Sequence, residues 1–300
     1  MAGQLMIGLY AGAHFTGAET LNRYLSSNRA ALEGAGYGVV APPAAFDTGW
    51  ADAPLPGAGT AVPDIGGFAA GLTRAMRPHV RPDAAGLVLS RPDLPGTAED
   101  LLAGRFFPAA GLRGMAMRMA LGRPVDTLVF ALQPYDLFFM SAWRRASMEN
   151  DVGPFEDHTR TMSRFAGGWV ETVEALADTL GAGRVVVTAS APQDLRFILP
   201  YLMPGADLSA AAMPDAAPPI TDSAIAMFQR HLRMGTRFAP GQKERLLAFH
   251  ARLPQTKPRS GFDWLPLADM RGRYVGDLDM LARMSGVEVI GTPMTAIAAE

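Results

Sequence analysis

Short apolar runs alternate with longer segments of helical period along the first two thirds of the chain. Five of these runs are rich in Val, Ile or Leu and too short to be helices, so they are predicted to be strands. They are Leu5–Tyr10, Tyr37–Ala41, Gly86–Ser90, Thr127–Leu132 and Arg184–Ala189. Strands that alternate with helices are typical of crossover connections in a parallel sheet. The pattern predicts an α/β fold, with a parallel β-sheet flanked by helices in three layers.

The segments between the strands, and most of the final third, have apolar residues spaced for one face of a helix. The predicted helices are Ala18–Glu33, Ala110–Leu121, Leu137–Met148, Gly168–Leu180, Leu195–Leu202, Thr221–Met234, Gly241–Leu253 and Leu267–Met284. Two stretches rich in Pro and Gly, Ala51–Gly67 and Pro204–Pro219, are predicted to be surface loops or lids. We expect one domain over residues 1–300, with a core at about 4–200 and a helical extension at about 221–300.

Composition excludes several functional classes. The chain has 300 residues, 49% of them hydrophobic, and no cysteine, so it has material for a core but no thiolate chemistry. Its net charge of −2, from 27 basic and 29 acidic residues, gives no general attraction for nucleic acid. No apolar run approaches the roughly 20 residues of a membrane span. The apolar N-terminus has no basic residue before Arg23, unlike a secretory signal. We expect a cytoplasmic protein without a nucleic-acid partner or a membrane span.

The histidines do not suggest a metal centre. His79, His158, His231 and His250 are isolated, with no H-x-x-x-H pair between them. We therefore predict that the chain holds no metal.

The loop after the first predicted strand, AGAHFTGAET at residues 11–20, has the glycine spacing of a phosphate-binding loop. Gly12 and Gly17 lie five residues apart between a strand and a helix. Backbone amides of such a loop, aided by the positive end of the helix dipole, hold an anion whatever the side chains are. The alternative is an ordinary strand-turn-helix junction, which glycines also favour.

The fourth predicted strand runs into a second informative segment, FALQPYDLFFMSAWRR at residues 130–145. Pro134 ends the extended run, Asp136 is suited to cap the next helix, and Ser141 lies on that helix with Arg145. Because the carboxyl ends of adjacent parallel strands face one crevice, we expect Gly17 and Ser141 to border a single pocket.

Together the two segments resemble the two nucleotide motifs of the sulfotransferase superfamily, in particular its bacterial carbohydrate-type members. The first family motif is approximately His/Pro-Lys-Thr/Ser-Gly-Thr-Thr at the start of a helix, and it matches residues 14–19, HFTGAE. The second motif is an Arg, then Pro and Asp, then a Ser eight residues after the Arg. The matching positions here are Gln133, Pro134, Asp136 and Ser141.

The resemblance implies a P-loop nucleotide-hydrolase-like fold. It also implies transfer of a sulfuryl group from 3′-phosphoadenosine 5′-phosphosulfate to a hydroxyl of a carbohydrate or small molecule. It covers about residues 4–200, and it extends weakly to the last helix at Arg273–Leu278. The residues that it places around the nucleotide are Gly12, Phe15, Thr16, Gly17, Ala18, Glu19, Thr20, Gln133, Ser141 and Arg145.

Transfer to a hydroxyl also needs a base that accepts its proton. The candidates are Asp93, which follows the third predicted strand in SRPDLPG, and His14 in the loop. The alternative for Asp93 is a turn residue between two prolines. The alternative for His14 is a loop side chain that bonds to the backbone.

Four positions depart from the family pattern, and all of them remove donors or positive charge. Phe15 replaces the lysine at the transferred group, and Gln133 replaces the arginine at the 3′-phosphate. Ala18 and Glu19 replace hydroxyl donors. Losing one preorganised donor costs about 3–4 kcal/mol of barrier, and Glu19 at about 6 Å repels a phosphosulfate by about 3 kcal/mol in a surface-like dielectric. Arg23, one helical turn after Glu19, or an arginine of the second motif is placed to compensate.

Two hypotheses therefore remain open. One is an active sulfotransferase, in which residues 12–20 hold the phosphosulfate and Ser141 holds the 3′-phosphate. The other is a non-catalytic relative that keeps the fold as a binding or interaction module, which Phe15, Ala18 and Gln133 favour. A P-loop nucleoside triphosphatase is disfavoured, because the Walker lysine and the hydroxyl residue after it are both missing.

Overall fold

The computed structural model describes residues 5–13, 16, 18–42, 50–189, 195–215, 218–236, 238–239, 241–254 and 261–291. Over these residues six strands form one parallel sheet in the order β2-β3-β1-β4-β5-β6. The strands are β1 Met6–Tyr10, β2 Tyr37–Val40, β3 Gly86–Ser90, β4 Thr127–Ala131, β5 Arg184–Thr188 and β6 Val287–Ile290. The predicted α/β fold with a parallel sheet and flanking helices is confirmed.

The described residues also contain twelve α-helices. They are α1 Ala18–Ser27, α2 Arg29–Gly34, α3 Ile65–Met76, α4 Ala98–Leu102, α5 Ala110–Leu121, α6 Tyr135–Glu149, α7 Phe155–Met162, α8 Trp169–Leu180, α9 Leu199–Leu202, α10 Asp222–Arg233, α11 Gln242–Ala251 and α12 Trp264–Arg283. No helix in the described ranges has the length and hydropathy needed to cross a membrane.

Alternate residues of each strand face opposite sides of the sheet and build two hydrophobic layers. Leu9 and Phe130 face a large cluster that includes residues of α3, α5, α6, α8 and α12. Tyr10 and Val129, their neighbours in sequence, face a smaller cluster with residues of α1, α2 and α9. Helices therefore cover both faces, which is why the central strands are apolar along their whole length.

The predicted helical C-terminal extension is confirmed by α10, α11 and α12. It also contains a strand that was not predicted, since β6 joins the edge of the sheet next to β5. Glu288 of β6 forms an ion pair with Arg184 of β5 and accepts a hydrogen bond of 2.7 Å from the Tyr201 hydroxyl. These contacts hold the pKa of Glu288 below its ordinary value, with the Tyr201 hydrogen bond as the largest cause. Four half-buried residues after a 20-residue helix give too short a pattern to predict a strand.

The single helix predicted over Ala18–Glu33 is two helices that meet at Asn28. The side chain of Asn28 donates to the carbonyls of Tyr24 and Ala212, each at 2.9 Å, and accepts from the Ala212 amide at 2.8 Å. Asparagine often interrupts a helix in this way, because its side chain forms hydrogen bonds with nearby backbone groups. The second Pro-rich stretch is thereby fastened to the end of α1.

A glycine in β1 allows α9 to pack closely against the sheet, which generates the first prediction. A Cβ at Gly8 would lie 2.2 Å from the carbonyl oxygen of Leu202 in α9. Because backbone cannot move aside as a side chain does, we expect Gly8→Ala to lower the free energy of unfolding by about 1–3 kcal/mol. Denaturant unfolding measures this change. The control is Gly71→Ala in α3, where a Cβ has no neighbour within 4 Å; equal stability of both variants contradicts the prediction.

Candidate functional site

The carboxyl ends of β1 and β4 lie side by side, since the two strands pair directly from Gly8 opposite Thr127 to Tyr10 opposite Val129. Helix α1 leaves β1 toward one face of the sheet, whereas α6 leaves β4 toward the other. Helices that diverge from adjacent strands leave a crevice at the carboxyl edge, which is where open α/β sheets bind ligands. This crevice is the candidate site.

The loop after β1 continues to pair with β4 beyond the end of the strand. The amides of Ala11 and Ala13 donate to the carbonyls of Val129 and Ala131, each at 3.0 Å, and the Ala131 amide donates to the Gly12 carbonyl. Ala11 and Ala13 are fully buried. Amides that already have partners in the sheet are not directed at a ligand, whereas a phosphate loop turns its amides toward the anion. This part of the loop extends the sheet.

Thr16 is the next described residue of the loop, and its hydroxyl also has an internal partner. It is fully buried and donates to the Ala13 carbonyl at 2.6 Å, with the Tyr10 hydroxyl 3.4 Å away. Burial raises the pKa of Tyr10, so its phenol stays neutral. The sequence predictions for His14, Phe15 and Gly17 fall outside the described residues, and so does the expectation that Gly17 and Ser141 border one pocket.

The first turn of α1 carries Glu19 at the surface, while Ala18 is buried and Thr20 is partly buried. Arg145 of α6 lies 3.9 Å from the Glu19 carboxylate and 3.0 Å from Glu149 on its own helix. One guanidinium is therefore shared by two carboxylates. Arg145, and not Arg23, is the partner of Glu19 among the described residues, and its contact joins the two helices that flank the crevice.

The remaining predicted nucleotide residues lie at the other side of the crevice. Gln133 follows β4, and its backbone carbonyl accepts a hydrogen bond of 3.0 Å from the indole of Trp169. Ser141 lies partly buried on α6, nearly two turns after its start. The structure thus brings the second motif beside the start of α1 through Arg145, and the roles of Gln133 and Ser141 stay predictions.

Asp93 is held by a buried arginine that sequence reasoning did not single out. Its two carboxylate oxygens lie 2.7 and 2.9 Å from Nε and Nη2 of Arg91, whose side chain is 2% exposed. A general base needs a lone pair directed at the proton that it accepts. The side-on ion pair directs both oxygens of Asp93 at Arg91, which favours an anchoring role.

The same arginine, with a second one on α5, pins the first Pro-rich stretch to the sheet. Arg91 donates to the carbonyls of Trp50 and Ala53, and its guanidinium lies 5.2 Å from the Trp50 ring. Arg113 donates to the carbonyls of Pro56 at 2.9 Å and Asp93 at 2.8 Å. Burial lowers the pKa of Arg113 from its ordinary value. Residues 50–57 therefore form a strap, tied at three carbonyls.

A second buried network ties α12 to the end of β4. The Tyr135 hydroxyl donates to the Asp277 carboxylate and accepts from the Trp169 amide at 2.8 Å. That amide is in the first turn of α8 and has no helical partner of its own. Arg273 donates to the Gly167 carbonyl and stacks 4.3 Å from the Phe165 ring.

An ion pair beside this network also holds the C-terminal helix α12 in place. Arg271 of α12 lies 3.1 Å from Asp136, a fully buried carboxylate in the first turn of α6. Burial is the largest cause of a raised pKa at Asp277, and it raises the pKa of Tyr135 as well. The Tyr135 phenol therefore stays protonated and donates a hydrogen bond to the Asp277 carboxylate.

Comparison with protein-family models, curated proteins and solved structures finds no match for this chain. The described residues contain no group of three or more His, Asp or Glu side chains that could hold a metal ion. The site is therefore interpreted from its own geometry.

The strap generates a prediction about Arg113. Arg113→Met removes the donor to the buried Pro56 carbonyl and to the partly buried Asp93 carbonyl. We therefore expect faster hydrogen exchange over residues 51–57 and a loss of about 1–3 kcal/mol in unfolding free energy. Exchange mass spectrometry and denaturant unfolding measure the two effects. Arg118→Met, on the same helix but without a hydrogen bond to a described residue, is the control. Unchanged exchange over the strap in Arg113→Met means that this arginine does not hold it.

The raised pKa of Asp277 generates a prediction about pH. A folded-state pKa above the unfolded value means that this group stabilises the fold below its unfolded pKa, near 3.9 for Asp. That contribution is lost as pH rises through the folded pKa. Asp277→Asn removes this titrating group. The free energy of unfolding of the variant, relative to that of wild type, should therefore increase between about pH 4 and pH 7. Unfolding at each pH tests this, with the exposed Asp279→Asn as control; parallel curves for the Asp277 variant and wild type contradict it.

Proposed function

We propose that this chain is a sulfotransferase-like protein that no longer transfers sulfuryl groups and serves as a non-catalytic binding module in the cytoplasm. The observation that carries the proposal is the pairing of the Ala11 and Ala13 amides with β4. Both amides belong to the loop that would hold a phosphosulfate, and because they donate to β4 they are not available to such a ligand. The ligand is proposed to be a small molecule or carbohydrate, the acceptor class of the superfamily that the motifs resemble.

The electrostatics of the crevice support the same proposal. Glu19 places a carboxylate at the start of α1, where the helix dipole otherwise favours an anion. Arg145 is about 42% exposed and is shared with Glu149, so each of its ion pairs contributes at most about 1 kcal/mol. Glu19, Arg145 and Glu149 together carry a net charge of −1. A dianionic nucleotide phosphate is repelled by such a group.

A second candidate function, an active sulfotransferase, is favoured by one observation. Arg145 reaches from α6 to the start of α1, so a cation stands at the mouth of the crevice between the two motifs. If a nucleotide phosphate displaced Glu19 from Arg145, this guanidinium would replace the arginine that is absent at Gln133. The two candidates differ in whether the nucleotide binds.

Titration calorimetry with adenosine 3′,5′-bisphosphate separates the two candidates. We expect no binding by the wild-type protein up to about 1 mM, roughly −4 kcal/mol. Phe15→Lys with Gln133→Arg restores two cationic donors, each contributing about 1.5–3 kcal/mol. Allowing for imperfect geometry, we expect the double variant to gain about 100-fold in affinity.

A charge-matched variant controls for general attraction of the nucleotide. Met119→Lys with Val62→Arg adds the same two charges at exposed apolar positions, 55% and 59% exposed, on α5 and before α3. We expect this variant to bind no better than wild type. Wild-type binding tighter than about 10 µM, roughly −7 kcal/mol, contradicts the proposal and supports the active enzyme.

A further inference from the structure

A solvent-open hollow of about 360 Å³ lies between the end of α4 and the end of α7. Its lining is Ala103, Gly104, Arg160, Thr161 and Arg164. The walls are tightly joined, because Gly104 has a φ of +70° and a Cβ there would lie 2.8 Å from the Thr161 carbonyl oxygen. A parallel bridge between Arg105 and Ala166 fixes the two segments just beyond it. The hollow is a defined feature of the backbone.

Two of the lining side chains are arginines without a counter-charge. Arg160 and Arg164 are exposed, and neither guanidinium forms an ion pair or hydrogen bond with a described residue, although the Arg160 carbonyl accepts a hydrogen bond from Ser163. Glu156 stands one turn before Arg160 on α7, the usual spacing of a helical ion pair, but the described contacts do not include that pair. Arg105 at the rim is different, since it lies 2.8 Å from Asp100. The hollow therefore presents two uncompensated positive charges.

The hollow is a separate feature from the crevice at the ends of β1 and β4. The segment that follows Arg164 leads into Trp169, whose amide bonds to Tyr135 at the end of β4. Trp169 lies only five residues after Arg164 along the chain, so the hollow is linked to the end of β4 through this short segment. None of its lining residues belongs to the loop at residues 11–20 or to α6.

We infer that this hollow binds a tetrahedral oxyanion ester, a sulfate or phosphate monoester carried on a saccharide-sized ligand. Guanidinium groups present planar pairs of donors that match the oxygens of such esters. The hollow is open to solvent and lined largely by polar side chains, which suits a hydrophilic ligand such as a sugar ester. The inference goes beyond the proposed function, because it names a second site and the chemistry that the site recognises.

Calorimetric titration of the full chain tests the site with glucose 6-sulfate, glucose 6-phosphate and glucose. We expect saturable binding of at least one ester with a Kd below about 1 mM, and none of glucose. Arg160→Gln with Arg164→Gln should weaken that binding at least tenfold. Because both side chains are exposed, the variant should fold normally, which thermal unfolding checks.

The matched control is Arg74→Gln with Arg77→Gln, which removes two exposed arginines from the end of α3 and the turn after it. It changes the net charge equally and should leave binding unchanged. The sulfate and phosphate arms show which ester is preferred, and either preference supports the site. The inference is overturned if neither ester binds saturably up to about 10 mM, or if the two double variants lose affinity equally. Binding of adenosine 3′,5′-bisphosphate at the crevice tests only the proposed function. The proposed function and the ester site in the hollow can therefore be contradicted independently.

Discussion

The pairing of β1 with β4 is the contact on which the rest of this structure depends. It places the two strand ends side by side, and from there α1 and α6 diverge to opposite faces of the sheet. The pairing then continues past the strand through Ala11 and Ala13. Each added hydrogen bond satisfies a buried backbone group, which would otherwise cost about 1–3 kcal/mol. The same bonds occupy those two amides, so neither is a free donor at the crevice.

Buried charged and polar side chains in this protein act mainly as ties between segments. Arg91 and Arg113 hold the strap at residues 50–57, while Asp277 and Tyr135 hold α12 and the first turn of α8. A buried charge is costly unless it is paired or hydrogen-bonded. Each of these groups meets that condition through backbone carbonyls, backbone amides or an opposite charge. The exposed pair Arg160 and Arg164 differs from them, because its charges face an open hollow with no such partner.

Most of the fold could be predicted from the sequence, whereas the hydrogen bonds and ion pairs at the site could not. Five strands were predicted because runs such as VVV and LVF are apolar along their length, as strands covered on both faces must be. Helix α3 was missed because Gly66, Gly67 and Gly71 mask its helical period. Strand β6 was missed because four residues carry little periodicity. The crevice was expected on the premise that the first and fourth predicted strands are neighbours, and the structure shows that β1 and β4 do pair.

Side-chain and amide partners depend on the path of the loops, and that path leaves no periodic trace in the sequence. Nothing in AGAHFTGAET distinguishes amides that face a ligand from amides that face β4. Arg91 and Arg113 were overlooked for a similar reason, since arginine is ordinarily a surface residue and burial of one must be observed. The position of a loop at a strand end can therefore be predicted from the sequence, whereas the hydrogen-bond partners of its amides cannot. The fold can be retained while the chemistry changes, because apolar burial across the sheet and charge at the strand ends are set by different residues.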